Sequence, residues 1–334
     1  MTLNRRTLLA GAIASAAVPL LAACGGGDED HGPGTLAEVA KANGFTALVA
    51  AADKAGLVPA LSRSSSSLTV FAPTDAAFTS LATTLGFADA TAMVTALEGD
   101  TLASILQYHV LPSKKLAADL VAGGATQNTL YTFEGTATSL TLDTSAGVKI
   151  TDEVLTQATV TAADVPASNG VIHVIDKVLV PPGVLNIVQM AKLNSNFSTL
   201  VAAVSATSDL GGVLSGADKY TVFAPVNEAF AALPEGALTT LLETPDDKLR
   251  DILLFHVLPG DVRAADVEAL EKPATVATAL PSESITITSA LKIRETFLDG
   301  SASLVATDVV ASNGVIHVID RVLNPDYVDP VQPV

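Results

Sequence analysis

Cysteine is almost absent from this sequence, because its 334 residues include only Cys24. An intramolecular disulfide and a zinc site built on several cysteines are therefore excluded. Tryptophan is missing and aromatic residues make up 4% of the chain, although hydrophobic residues make up 49%. The core must therefore be built mainly from Ala, Val, Leu and Ile, which suits a compact mixture of helices and strands.

Basic residues are also scarce. The chain has 18 Lys and Arg against 35 Asp and Glu, which gives a formal net charge of −17. Charged residues make up 16% of the chain, below the ~25% usual for globular domains. Because binding of nucleic acid by charge needs clustered cations, the composition predicts that nucleic acid is not a partner.

The first residues have the pattern of an export signal. Arg5 and Arg6 precede an apolar run that begins at Leu8, and small residues follow it. The run is shorter than the ~20 residues that a transmembrane helix needs. We therefore interpret residues 1–23 as a cleaved signal peptide. The paired arginines fit either the general secretory route or the twin-arginine route, and the sequence leaves both open.

Cys24 ends a segment, LAAC, that resembles the lipobox of bacterial lipoproteins. The resemblance implies that Cys24 receives a diacylglyceryl group and becomes the mature N-terminus. Residues 25–34 contain no apolar side chain able to join a core, so residues 24–34 are predicted to form a lipidated, flexible tether. We expect an exported lipoprotein anchored at the cell envelope, on the periplasmic face or the cell surface, with the outer membrane as one candidate.

The rest of the chain contains two copies of one unit. Three blocks occur twice in the same order: VFAP at 70–73 and 222–225, HVLP at 109–112 and 256–259, and ASNGVIHVID at 167–176 and 311–320. Each copy opens with helical periodicity and closes with alternating, strand-like runs, an order typical of an α+β domain. We predict domains at 35–182 and 185–325, and a tail at 326–334. The connector between them contains Pro181 and Pro182, which should restrict their relative orientation.

This order of blocks resembles the fasciclin domain. The resemblance implies an α+β fold in which each domain is a wedge-shaped β-sandwich flanked by helices, found in extracellular adhesion and matrix proteins and in exported bacterial proteins. In animal members, a Tyr-His pair and an Asp-hydrophobic pair are linked to integrin binding. The matching candidates for partner binding are Tyr108 and His109, Asp164 and Val165, and Asp308 and Val309. The second copy departs from the first pair, with Phe255 before His256.

Four histidines occupy matched positions in the two copies: His109 and His256, His173 and His317. No HExxH motif or cysteine partner accompanies them, so we expect buried rings bonded to backbone carbonyls and no metal. Asp176 and Asp320 are expected to accept backbone N–H groups at a strand end. Asp75 and Asn227 follow the VFAP blocks and are expected to act as helix N-caps.

Nucleophile and nucleotide motifs are missing: the sequence has no G-x-S-x-G, P-loop or G-x-G-x-x-G. We predict no catalytic residue, no cofactor and no enzymatic activity. The expected function is that of an envelope-anchored binding module that mediates adhesion or contact with a matrix or surface. Its ligand would be an unidentified surface or extracellular protein or polysaccharide. The alternative is a periplasmic or surface protein that binds or hydrolyses a small molecule in a pocket that the sequence does not disclose.

Overall fold

A computed structural model describes residues 32–243, 247–288, 292–294 and 301–325. The predicted signal peptide, Cys24, most of the predicted tether and the predicted tail at 326–334 lie outside the described residues. Below, "first repeat" and "second repeat" mean residues 35–182 and 185–325. Both repeats belong to one compact unit that begins at Pro33.

The first repeat opens with helices and closes with strands, as its sequence pattern predicts. Its helices are α1 Leu36–Ala42, α2 Thr46–Lys54, α3 Val58–Leu61, α4 Asp75–Thr84, α5 Ala90–Ala96, α6 Gly99–Tyr108 and α7 Ala117–Ala122. Its strands are β1 Leu68–Pro73, β2 Val110–Leu111, β3 Thr126–Phe133, β4 Thr136–Asp143, β5 Lys149–Thr151, β6 Gln157–Ala167 and β7 Gly170–Ile175.

The second repeat has the same order of elements. Its helices are α8 Ile187–Leu193, a 3₁₀ turn at Ser195–Phe197, α9 Ser198–Ala206, α10 Leu210–Leu214, α11 Asn227–Ala231, α12 Ala237–Glu243, α13 Asp247–Phe255 and α14 Ala264–Ala269. Its strands are β8 Tyr220–Pro225, β9 Val257–Pro259, β10 Ala274–Ala277, β11 Ser284–Ile287, β12 Lys292–Arg294, β13 Ser301–Ala311 and β14 Gly314–Ile319.

Each repeat forms one seven-stranded sheet. The strand order is β2-β1-β7-β6-β5-β4-β3 in the first repeat and β10-β11-β12-β13-β14-β8-β9 in the second. In the first repeat β1 and β7 run parallel and the other neighbours antiparallel. Side chains from both halves of this sheet share one core cluster, so the halves face each other in the manner of a sandwich. The predicted α+β class is confirmed in both repeats.

The VFAP block forms the buried centre of each sheet. In β1, Val70 and Ala72 face the core under the helices, whereas Phe71 faces the core between the two halves of the sheet. Both faces of this strand are covered, which explains its continuous apolar run. Val222, Phe223 and Ala224 divide between two cores in the same way in the second repeat.

Asp75 and Asn227 are caps, but of different helices from those we expected. The side chain that caps α4 is Thr74, which accepts from the Ala77 N–H at 3.2 Å. Asp75 Oδ1 instead accepts from the Ala47 N–H of α2 at 2.9 Å. Asn227 accepts from the Thr199 N–H of α9 at 3.0 Å. The expectation of a local cap was therefore wrong, because the free N–H groups nearest to these side chains belong to helices distant in sequence.

The ASNG turns join the last two strands, and their asparagines also hold the opening helix of each repeat. Asn169 is buried; its Oδ1 accepts from the Leu36 N–H at 2.8 Å and its Nδ2 donates to the Leu61 and Arg63 carbonyls. Asn313 makes the equivalent bonds to Ile187, Leu214 and Gly216. The glycine after each asparagine lies so close to a neighbouring backbone carbonyl, that of Leu68 or Tyr220, that a Cβ would overlap it.

Candidate functional site

The histidines of the HVLP blocks are structural elements of the core. His109 and His256 are 1% and 2% exposed. In His109, Nδ1 donates to the Ile105 carbonyl at 2.7 Å and Nε2 accepts from the Leu179 N–H at 2.9 Å. His256 bonds in the same way to Ile252 and Leu323. Because one nitrogen donates and the other accepts, each ring is neutral, and burial lowers the pKa of both to about 4.

The histidines of the ASNGVIHVID blocks, His173 and His317, also have equivalent hydrogen-bond partners in the two repeats. His173 Nε2 donates to the Lys115 carbonyl at 2.9 Å, while Nδ1 accepts from the Asp164 N–H at 3.2 Å. His317 bonds to Val262 and Asp308 at the same distances. Burial lowers the pKa of both rings. The expectation that all four rings bond to backbone groups is confirmed.

Asp164 and Asp308 lie at bulges in β6 and β13. Both have a positive φ, 61° and 57°, and the strand register shifts next to each. Their carboxylates accept from the first N–H of a helix, Asp164 from Ala117 of α7 and Asp308 from Ala264 of α14, each at 2.8 Å. Each aspartate therefore links a bulge, a buried histidine and a helix N-terminus.

Tyr108 and His109, the first predicted pair, lie in the interior. Tyr108 is 2% exposed, its hydroxyl donates to the Ser139 carbonyl at 3.3 Å, and its ring packs edge-on against Tyr131. Burial raises the pKa of Tyr108 above its usual range. Both side chains are buried in this structure, and their part in binding a partner stays a prediction.

The second predicted pair has different surroundings in the two repeats. In the first repeat Asp164 and Pro166 are exposed and Val165 is half-buried; we call these three residues the open patch. The matched residues of the second repeat are Asp308, Val309 and Val310, and the two valines are buried. Val310 is covered because it contacts Glu153 of the first repeat and Gly183 of the connector.

That contact between repeats consists of backbone and side-chain bonds. Glu153 Oε1 accepts from the Val310 N–H at 2.8 Å, and the Gly183 N–H donates to the Val310 carbonyl at 2.9 Å. Arg263 forms an ion pair with Glu134 at 3.3 Å. Burial raises the pKa of Glu153 to about 7. Neither periodicity nor a motif in the sequence identifies Glu153, because its partner is 157 residues away.

Apolar side chains complete the same interface. Val154 and Val180 of the first repeat are 2% and 1% exposed and belong to the core cluster of the second repeat. Asn194 Nδ2 donates to the Val154 carbonyl at 2.9 Å. The two repeats are therefore joined by shared core packing as well as by the proline-containing connector.

The part of the chain that the structure describes contains no cluster of three or more His, Cys, Asp or Glu residues able to hold a metal ion. Asp176 and Asp320 accept from the Thr159 and Ser303 N–H groups, both at 2.7 Å, as expected for strand-end acceptors.

Comparison with known proteins agrees with this architecture. The fasciclin domain model matches residues 43–181 and 195–325. The chain therefore belongs to the fasciclin domain family, and its two matches make it a tandem member.

Individual relatives match one part of the chain or most of it. Protein sll1483 of Synechocystis sp. is 45% identical over 42% of this chain and 74% of its own length. Transforming growth factor-beta-induced protein ig-h3 of Sus scrofa is 38% identical over 49% of this chain, which covers 23% of that protein. The solved FAS1 domain pair of the insect cell adhesion molecule fasciclin I covers 86% of this chain at 20% identity, with a TM-score of 0.38.

Proposed function

We propose that this protein is a cell-envelope binding module that contacts a surface or matrix partner through the open patch of its first repeat. The proposal rests on one observation: in the second repeat, the segment that matches the open patch takes part in the contact between the repeats. There, Val310 already forms a protein contact inside the chain, because it bonds to Glu153 and Gly183. In the first repeat Asp164 and Pro166 of the same segment are exposed.

The open patch is not suited to the kind of contact that the second repeat makes with Glu153 of the first repeat. Pro166 occupies the position of Val310, and proline has no N–H to donate to a residue such as Glu153. Asp164 keeps its side chain 43% exposed. The patch combines one carboxylate with small apolar surface, which suits an extracellular protein or polysaccharide that presents hydroxyl, amide or cationic groups.

Anchoring is the second part of the proposal. We infer that a diacylglyceryl group on Cys24 holds the protein at the envelope and that residues 25–34 let the two repeats reach beyond the membrane. No helix in the described ranges is long and apolar enough to cross a membrane. Fasciclin domains occur in adhesion and extracellular matrix proteins, which supports a location outside the cytoplasm.

Attachment of cells tests the patch. Cells that lack the protein are complemented with wild type, Pro166→Glu or Ser80→Glu, and adhesion to a matrix-coated surface is counted at equal protein abundance. Both substitutions place a carboxylate on an exposed position, but Ser80 lies on α4 outside the patch. We expect Pro166→Glu to lose attachment and Ser80→Glu to keep it. Equal attachment by both variants would remove the patch from the proposal.

Fractionation tests the anchor. Cys24→Ala should release soluble protein or accumulate uncleaved precursor, because the thiol that accepts the lipid is gone. An unchanged membrane fraction with a cleaved N-terminus would contradict a lipid anchor at this residue.

A further inference from the structure

Each repeat contains an apolar cavity between its opening helices and its sheet. The cavity of the first repeat has a volume of about 590 Å³, and that of the second about 350 Å³. Both volumes lie in or near the range of pockets that hold small organic ligands, ~300–1,000 Å³. The first cavity is bounded by α1, α2 and α3 on one side and by β1 and β7 on the other.

The two cavities occupy equivalent positions in the two repeats but differ in volume. Their walls contain matched pairs of side chains: Leu36 and Ile187, Val49 and Val201, Val70 and Val222, Ile172 and Ile316. At two other matched positions the second repeat carries the larger side chain. Ala52 of the first repeat corresponds to Val204 of the second, and Val58 corresponds to Leu210. The larger side chains fill space that is open in the first repeat.

The first cavity is lined mainly by apolar side chains, and its uncharged polar residues apart from His109 are exposed or half-buried, namely Thr46, Ser62 and Gln107. His109 lies in its wall, but both ring nitrogens already bond to Ile105 and Leu179. Burial of an apolar molecule here is favourable because it removes apolar surface from water on both sides. The body of a ligand must therefore be hydrocarbon.

Charges at the rim select against an anionic ligand. Where the cavity reaches the surface, its exposed charged residues in the described part of the chain are Glu38, Asp53 and the cation Lys41. The whole chain carries a net charge of −17, which repels a carboxylate at a distance as well. An uncharged polar end, such as a hydroxyl, meets no such repulsion.

We propose that the cavity of the first repeat is a binding site for an uncharged, single-chain lipid, and that the second cavity is a smaller site for the same class. This function is independent of surface contact, because no residue of the open patch lines the first cavity. An adhesion module with this site would also carry or sense a lipid.

Binding of a neutral fluorescent probe to the full chain tests the site. N-phenyl-1-naphthylamine is titrated into purified protein from which bound lipid has been stripped, and hexadecanol or palmitate then competes with it. We expect saturable probe binding, and displacement by hexadecanol at a concentration about tenfold lower than by palmitate. Absence of saturable binding overturns the site, and equal displacement by the two competitors overturns the preference for an uncharged ligand.

Matched variants locate the site within the chain. We expect the larger first cavity to bind the probe more tightly than the second. Val49→Trp fills the first cavity and should weaken this tighter binding by at least about tenfold, whereas Val201→Trp fills the second cavity and should leave the tighter binding unchanged. Wild-type binding by Val49→Trp contradicts the assignment. Ala52→Val provides a milder test that does not depend on a large side chain, because the second repeat already has Val204 at this position. It should weaken binding with an unchanged melting temperature; full binding would count against the site.

Discussion

The free energy of unfolding should fall in mild acid, because the folded protein holds its buried histidines in the neutral form. An exposed histidine would become charged in the same pH range without this cost. The pKa of His109 and of His256 is lowered to about 4 in the folded state, whereas histidine in an unfolded chain has a pKa of ~6.5. Between these values the unfolded chain binds protons that the folded chain does not. The stabilisation is complete above about pH 6.5 and is lost as the pH falls to about 4.

The size of the loss follows from the two shifts. One pKa unit corresponds to about 1.4 kcal/mol, so each ring accounts for about 3 kcal/mol and the pair for about 6 kcal/mol. Glu153 opposes them, because its pKa is raised to about 7 from an ordinary 4.5. The folded state therefore binds more protons than the unfolded state in that range, and Glu153 adds about 3 kcal/mol as the pH falls.

The net expected loss between neutral pH and about pH 4 is therefore about 3 kcal/mol, compared with a total of ~5–15 kcal/mol for a typical protein. The lowered pKa values of His173 and His317 act in the same direction as those of His109 and His256.

Urea unfolding followed by circular dichroism measures this loss at about pH 7, 6, 5 and 4. We expect the free energy of unfolding to fall across the series. Glu153→Gln removes the opposing carboxyl group and should make the fall steeper, by about 3 kcal/mol over the range. A free energy of unfolding that stays constant from pH 7 to 4, or a Glu153→Gln variant with the wild-type pH dependence, would refute the reasoning.

Four further predictions concern single contacts. His173→Ala or His317→Ala should lower the free energy of unfolding by about 1–3 kcal/mol, measured by calorimetry; tight zinc uptake that either change abolishes would contradict a structural role. Asn169→Ala should cost about 3 kcal/mol because it strands the buried Leu36 N–H of α1 and leaves the Leu61 and Arg63 carbonyls without its amide, whereas the exposed neighbour Ser168→Ala should change the urea midpoint little. Gly314→Ala should prevent stable folding of the second repeat, while Gly212→Ala, whose Cβ meets open space, should leave the melting temperature near wild type. Val154→Asp should expose the interface between repeats to protease, whereas Leu155→Asp, already 41% exposed, should not.

Much of the fold could be predicted from the sequence because the relevant signals are local. Duplicated blocks, helical periodicity before them and alternating residues after them predicted two α+β repeats, and both are present. The buried state of the four histidines was also predictable, since each lies among apolar residues and without a metal-binding partner in its motif. These inferences need only the neighbours of a residue along the chain.

Tertiary structure alone decided which distant groups meet. Asp75 caps α2 rather than its own helix, and Tyr108, which the family resemblance marked for a partner, is in the core. Glu153 reaches Val310 across the repeats, and the matched cavities of the two repeats differ in volume. Each outcome depends on the distance between groups far apart in sequence. Local periodicity specifies which face of an element is buried, but not which side chain or backbone group it meets there.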